Sequence, residues 1–180
     1  MCAATSRNRI PTDSPVTKTP KPAGKEPDKS AAGGPHGKPI TTFGEWTVFA
    51  AGTGKAKTCY ALAKPTDRQP ASLKRDPGYV FISNRPAESV TNEVAFVAGF
   101  DVKPGSTPTA EIGAANFDLI AQGGNLWVKN AAEEGKFVEA LRKGQRLVVK
   151  ASSKKGNQST DIYILSGVSP ALERARKECE

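Results

Sequence analysis

The sequence lacks most of the side chains from which catalytic and metal centres are built. His36 is the only histidine, and it lies in a proline-rich stretch that cannot hold an imidazole in place for Ser-His-Asp or Cys-His chemistry. The cysteines, Cys2, Cys59 and Cys179, are too dispersed to show zinc-ligand spacing. The run 52–55 lacks the full spacing of a phosphate loop and its following helix. We therefore predict no catalytic residue, no metal site and no cofactor.

Aromatic residues are absent from the first 42 positions, which contain seven of the fourteen prolines. Such a segment buries too little apolar surface to offset the entropy lost on ordering. We predict a disordered Pro/Lys-rich tail or tether over 1–41 and one folded domain over 42–180. No run of about eighteen apolar residues exists, so no transmembrane helix is expected.

The net charge of +8 is divided equally between the two parts. The tail has seven basic and three acidic residues, a net charge of +4, and the domain supplies the other +4. Candidate contacts to nucleic acid are Lys150, Lys154 and Lys155 together with Trp127 and Lys129. Because no long run of like charge occurs, we interpret the basic residues as a solvated surface and expect no nucleic-acid partner.

Short segments with alternating or continuous apolar residues, separated by glycine and proline turns, predict a mainly β domain. The segment 79–83 is nearly continuous in apolar residues and is predicted to be a central strand covered on both faces. The fold class is a β-sandwich-like domain or small barrel with helices at its edge. Predicted strands are 43–49, 57–63, 79–83, 93–98, 110–113, 116–121, 126–129, 146–151 and 161–165.

Two helices are predicted, one internal and one at the C-terminus. Asn130 is a good N-cap for the first, and Gly144 ends it. Ser169 is the predicted N-cap of the second, with Pro170 at its first helical position.

The cysteines of the domain leave two alternatives open. Cys59 lies in a predicted strand, and Cys179 lies on the apolar side of the C-terminal helix. They either form a disulfide, which would place the protein in an oxidising compartment, or remain two separate thiols.

Cys2 raises the question of export. The first residues contain no apolar segment, so no signal peptide is visible. A processed bacterial lipoprotein begins at a lipidated cysteine followed by a flexible tether, and Cys2 with its tail fits that pattern. The alternative is an incidental cysteine. Membrane association is expected only through such an anchor at Cys2.

Acidic residues in or beside predicted strands keep an enzyme as an alternative. Two of Glu93, Glu111, Asp118 and Asp161 in one deep pocket would suit a carboxylate-based periplasmic hydrolase.

A series of motifs in the domain resembles the invasion-associated locus B family of alphaproteobacteria. The likeness covers about 43–179, in order and with few gaps. Its motifs are 43–46 (FGEW), 59–62 (CYAL), 75–86 (RDPGYVFISNRP), 92–94 (NEV), 117–119 (FDL), 127–130 (WVKN), 147–152 (LVVKAS), 161–163 (DIY) and 165–167 (LSG).

This resemblance implies an exported protein with a β-sandwich-like fold, and some members are implicated in bacterial invasion of host cells. The family has no established catalytic residues to transfer, but its cysteine pattern implies a Cys59–Cys179 disulfide. We expect a non-enzymatic binding or accessory protein in the periplasm, at the outer membrane or secreted. A lipid-anchored structural envelope protein is another alternative.

We expect the partner to be a protein of the envelope or of a host surface, of unknown identity. The predicted partner surface consists of Asn84, Arg85, Trp127, Lys129 and Asn130. The competing interpretation of these residues is turn chemistry and core packing.

Overall fold

Strands dominate residues 36–180, the part of the chain that the computed structural model describes. Two α-helices follow the ninth and the eleventh strands: α1 (Glu134–Lys143) and α2 (Val168–Glu178). The strands are β1 (Lys38–Phe43), β2 (Trp46–Ala51), β3 (Thr58–Ala63), β4 (Asp67–Gln69), β5 (Tyr79–Arg85), β6 (Val90–Val97), β7 (Thr109–Ile112), β8 (Ala115–Gln122), β9 (Asn125–Val128), β10 (Arg146–Ser152) and β11 (Gln158–Ile164).

All eleven strands belong to one antiparallel sheet in the order β1-β2-β3-β5-β6-β9-β8-β7-β10-β11-β4. The sheet changes direction at β8, because residues 115–118 pair with β7 whereas residues 119–122 pair with β9. The first half of the sheet consists of β1, β2, β3, β5, β6 and β9, together with residues 119–122 of β8. The second half consists of β7, β10, β11 and β4, together with residues 115–118 of β8. The sheet remains open at β1 and β4, so the predicted mainly β, sandwich-like fold is confirmed and the closed barrel is not.

The two halves enclose one hydrophobic core. Phe96 and Leu126 of the first half and Val149 and Tyr163 of the second line the same small cavity, and all four are buried. Its volume of about 10 Å³ is at the lower limit for a single ordered water. The interior is therefore closely packed, and this cavity offers no room for a small-molecule ligand.

Helix α1 covers the core beside the bend in the sheet. The Asn130 side chain accepts a hydrogen bond from the Ala132 N–H at 3.1 Å, so the predicted cap forms, with one 3₁₀ turn between it and α1. Phe137 of α1 is fully buried, with its ring centroid 4.7 Å from that of Phe117 and 6.1 Å from that of Phe96. These edge-on aromatic contacts add to the stabilisation from burial alone.

Helix α2 packs on the core-facing side of β2 and β3, the side on which Cys59 lies. It begins two residues earlier than predicted, with Gly167 rather than Ser169 as its N-cap. Gly167 has a φ of 93°, and a Cβ there would lie 2.0 Å from the Phe43 carbonyl oxygen. Close approach of the chain to β1 therefore sets the start of the helix. Neither helix within residues 36–180 is long and apolar enough to cross a membrane.

Two strands were missed by the sequence patterns. The predicted first strand, 43–49, is in fact a β1–β2 hairpin, in which Gly44 turns with a φ of 56°. Because β1 begins at Lys38, the folded region starts before the predicted boundary at 42, although residues 1–35 lie outside the described part. Strand β4 has only three residues and lies in a segment for which no strand was predicted.

Candidate functional site

The disulfide predicted from the family resemblance is present and joins Cys59 of β3 to Cys179, immediately after α2. Beside it, the Lys57 ammonium contacts the Glu178 carboxylate at 3.0 Å and lowers its pKa. The disulfide and this ion pair thus both hold the end of α2 at the start of β3. Such a bond is compatible with an oxidising compartment.

Asn84, a predicted partner residue, lies beside this disulfide and is only 4% exposed. Its Oδ1 accepts a hydrogen bond from the Asn92 N–H at 3.0 Å, while its Nδ2 has no partner among the described residues. Asn92 has a φ of 55°, a conformation that asparagine tolerates in turns. Asn84 therefore shapes the β5–β6 connection, and its assignment to the partner surface is corrected.

Arg85, the next predicted residue, forms an ion-pair network at the same connection. It donates to Glu93 at 2.7 Å and to Glu88 at 2.8 Å. These carboxylates, with Glu93 contributing most, raise the pKa of Arg85. The Arg85 charge is neutralised locally.

The most distinctive surface lies on the outer face of the first half of the sheet. Directly opposed residues of an antiparallel sheet share a face, and the register aligns Phe81, Ala95, Trp127 and Ile120 across four strands. Their chain neighbours Ile82, Val94 and Leu126 point into the core and are buried. We define the outer apolar strip as Phe49, Tyr79, Phe81, Ile120 and Trp127.

Aromatic contacts extend the strip toward β2. The Tyr60 ring stacks on Phe49 at 5.3 Å and lies 5.7 Å from Phe81, which is 5.8 Å from Tyr79. Tyr60 is buried beneath its neighbours, and its Oη donates a hydrogen bond to the His36 carbonyl oxygen at 2.6 Å. The first described residue thus lies against this aromatic row.

Polar groups border the strip. Asp118 lies two residues from Ile120 on the same strand and is 3.9 Å from Lys129. On the other side, the Lys64 ammonium lies 6.0 Å from the centre of the Tyr79 ring. Ile120 is 48% exposed, which is high for a large aliphatic side chain. An apolar centre with a polar border is typical of surfaces that bind other proteins.

The structure brings only part of the predicted partner surface together. Trp127 and Lys129 lie on or beside the strip, and Asn130 is exposed nearby but caps the helical turn before α1. Phe49, Tyr79 and Phe81 were not predicted as surface residues. The segment 79–83 was expected to be covered on both faces, yet Tyr79 and Phe81 are partly exposed. Their i, i+2 spacing was the available signal.

A pH experiment tests the Tyr60 environment. Burial raises the pKa of Tyr60 from its ordinary 10.0 to about 12. Between these values the unfolded phenol ionises while the folded one stays protonated, so stability falls as the pH rises. The Tyr60→Phe variant lacks this contribution. Burial also raises the pKa of Tyr163, but the contribution of Tyr163 is present in both proteins. We expect urea titrations to show that the free energy of unfolding of the wild type falls relative to that of Tyr60→Phe between pH 10 and pH 12. A difference that stays constant over this range would contradict the prediction.

The four carboxylates of the hydrolase alternative lie apart, each beside a cation. Glu111 contacts Lys150 at 2.7 Å, and Glu93 and Asp118 pair with Arg85 and Lys129 as described above. Of the four, Asp161 alone lines the small cavity. No two of these carboxylates share a pocket in the described structure. Within residues 36–180 there is also no cluster of three or more acidic, histidine or cysteine side chains suited to a metal.

Asp161 instead holds a buried ionic network. Arg68 donates to both of its oxygens at 3.0 and 2.9 Å, and Arg75 donates to Oδ1 at 3.2 Å and to the Ser159 hydroxyl. Arg68 also reaches the Ala98 carbonyl oxygen at 2.7 Å. The network holds the segment between β3 and β5 against β11. The role of Asp161 in this network is therefore structural.

The candidate nucleic-acid residues do not form a basic aromatic surface. Lys154 contacts Asp101 at 2.8 Å, and Lys150 contacts Glu111. Trp127 lies on β9, three strands away from β10 in the sheet order. The Trp127 ring is therefore not placed among these lysines.

No family model matches the chain, and no curated protein matches its sequence. Its structure, however, is similar to the crystal structure of invasion associated protein B from Bartonella henselae, with a TM-score of 0.50. The match covers 76% of this chain and 95% of that one, at 18% sequence identity. At this identity the likeness establishes the fold alone. The resemblance predicted from the sequence motifs is thus confirmed as a structural one: this chain has a fold similar to that of invasion associated protein B.

Proposed function

We propose that the chain is an exported, non-enzymatic binding protein of the bacterial envelope, whose outer apolar strip binds a protein partner in the envelope or on a host surface. The observation that carries the proposal is the partly exposed row of aromatic and aliphatic side chains on one sheet face. Keeping such residues in water is unfavourable, and burying them against a partner returns roughly 25 cal/mol per Å² of apolar surface.

Three further observations support this proposal. The Cys59–Cys179 disulfide is compatible with an oxidising compartment. The cavity between the sheet halves is too small for a substrate, and the carboxylates considered for hydrolysis lie apart, each with a cation within 4 Å. The fold is similar to that of a protein named for its association with invasion. A rigid β scaffold with an apolar face suits recognition better than chemistry.

The chain offers a matched pair of positions for testing the strip. Ile120 on β8 belongs to it, whereas Ile164 on β11 is similarly exposed, at 38%, but lies in the other half of the sheet. We expect a photo-crosslinking amino acid at position 120, in cells that make the protein naturally, to form a covalent adduct with an envelope or host-surface protein. Position 164 is expected to form none.

Trp127→Ala, which removes the neighbouring ring without changing position 120, is expected to abolish the adduct. Equal crosslinking from both positions, or none from position 120, would exclude the strip as the binding surface. A cytoplasmic partner, or free thiols at Cys59 and Cys179 in intact cells, would contradict export.

A further inference from the structure

The described chain begins at the outer apolar strip. The His36 carbonyl oxygen accepts the Tyr60 hydroxyl at 2.6 Å, and Tyr60 lies between the strip residues Phe49 and Phe81. His36 therefore lies on the aromatic face of the sheet, and the preceding chain is covalently attached at this face.

The composition of the preceding segment matches this surface. Residues 15–35 include Pro15, Pro20, Pro22, Pro27 and Pro35, and contain no aromatic residue. Proline-rich chains favour the polyproline II helix, which binds in grooves lined by aromatic rings because little conformational entropy is lost. The strip provides such rings, and the small Ala95 separates Phe81 from Trp127 in the cross-strand row.

The outer apolar strip also carries groups that are complementary to the lysines of the segment. Lys64 already places its ammonium 6.0 Å from the centre of the Tyr79 ring, so this face accepts a cation over an aromatic ring. Lys18, Lys21, Lys25 and Lys29 alternate with the prolines. Asp118 beside Ile120 is 57% exposed and only loosely paired with Lys129, so it offers a carboxylate to one of them.

The length is also sufficient. The strip extends from Phe49 on β2 to Ile120 on β8, which is five strand spacings of about 4.8 Å, or roughly 24 Å. At about 3.1 Å per residue in polyproline II, about eight residues cover that distance. The segment from Pro20 to Pro35 exceeds this. Because it is tethered at His36, its local concentration at the strip is high and weak contacts are enough.

We propose that the proline-rich segment 20–35 binds in cis to the outer apolar strip and covers it. As a regulation of partner binding, this inference rests on the proposed function, since the cover must be displaced before a partner binds the same residues. The binding of the segment itself is independent of any partner and is tested on the purified chain.

The test uses the full chain with a nitroxide spin label in the segment. Cys2→Ser and Ser30→Cys together leave one free thiol outside the Cys59–Cys179 disulfide for labelling. We expect the indole signal of Trp127 and the amide signals of Phe81 and Ile120 to lose most of their intensity in an isotope-labelled sample. The amide signals of Lys150 and Ile164, in the other half of the sheet, keep theirs.

Two controls make the result specific. The same label at Ser6→Cys, in the Cys2→Ser background, reports any affinity of the nitroxide itself for the strip. Replacing Pro20, Pro22 and Pro27 with serine is expected to restore the Trp127 signal, whereas Pro11→Ser is expected to leave it weakened.

Three results would overturn the proposal. One is intensity loss spread evenly over both halves of the sheet. Another is equal loss from the label at position 6. The third is equal loss when spin-labelled and isotope-labelled chains are merely mixed, which would assign the strip to a second copy. The crosslinking experiment from position 120 remains informative in each case, so failure of the cover and failure of the partner site are distinguishable.

Discussion

Asp161→Asn is expected to lower the free energy of unfolding by about 3–5 kcal/mol, the range observed when one partner of a buried ion pair is removed. The side chains of Asp161 and Arg75 are only 7% and 6% exposed, and Arg68 donates hydrogen bonds to both carboxylate oxygens of Asp161. Asparagine keeps the size of the side chain but leaves two guanidinium groups without their counter-charge. Urea unfolding at neutral pH measures the loss.

The matched control for this variant is Glu111→Gln. Glu111 also lies on a strand of the second half and pairs with a cation, Lys150, at 2.7 Å, but the two side chains are 35% and 50% exposed. Exposed pairs contribute about 0–1 kcal/mol, so a small change is expected. If Asp161→Asn costs no more than Glu111→Gln, the buried network does not hold the segment between β3 and β5.

This network shows where sequence reasoning reached its limit. Asp161 was considered as a catalytic carboxylate because it lies in a strand, and nothing in a linear sequence places Arg68 and Arg75 around it. Arg68 and Arg75 are 93 and 86 residues away from Asp161 in the sequence. They come close to it only because the sheet order places β4 beside β11. Strand β4 itself is three residues long and was not among the predicted strands.

Local signals were more successful. Periodicity and turn residues placed most strands within a few residues, and Asn130 and Gly144 correctly bounded the internal helical region because their effects are local. Strand β1 was missed because it contains Pro39, has a register shift beside it, and lies in a proline-rich context. The start of α2 was misplaced because a tertiary contact, the approach of Gly167 to Phe43, overrides the local capping preference.

For the candidate surface, the sequence indicated Trp127 and Lys129 but not the strip to which they belong. A strip is a property of register: Phe81, Ala95, Trp127 and Ile120 become neighbours only when β5, β6, β9 and β8 are aligned. Asn84, chosen from the same motif as Arg85, is buried because side chains alternate along β5.

Replacing both Cys59 and Cys179 with alanine is expected to cost about 4–5 kcal/mol of stability in non-reducing conditions. The bond closes a loop with a sequence separation of 120 residues, and the chain-entropy model attributes its effect to the restricted unfolded state. Cys2→Ala is the control and is expected to leave stability unchanged. Reductant should lower the wild type to the level of the double variant, and an unchanged double variant would contradict the prediction.

Hydrogen exchange distinguishes the two ways in which this bond acts. Helix α2 buries Val168, Ala171, Leu172 and Ala175 against the sheet, independently of Cys179. If the bond acts through the unfolded state, α2 remains docked in the double variant, and exchange by local opening accelerates only in its last turn. If the bond instead holds α2 in place, exchange accelerates along the whole helix, while amides in β10, in the other half of the sheet, change only as global stability does. The buried residues of α2 favour the first result.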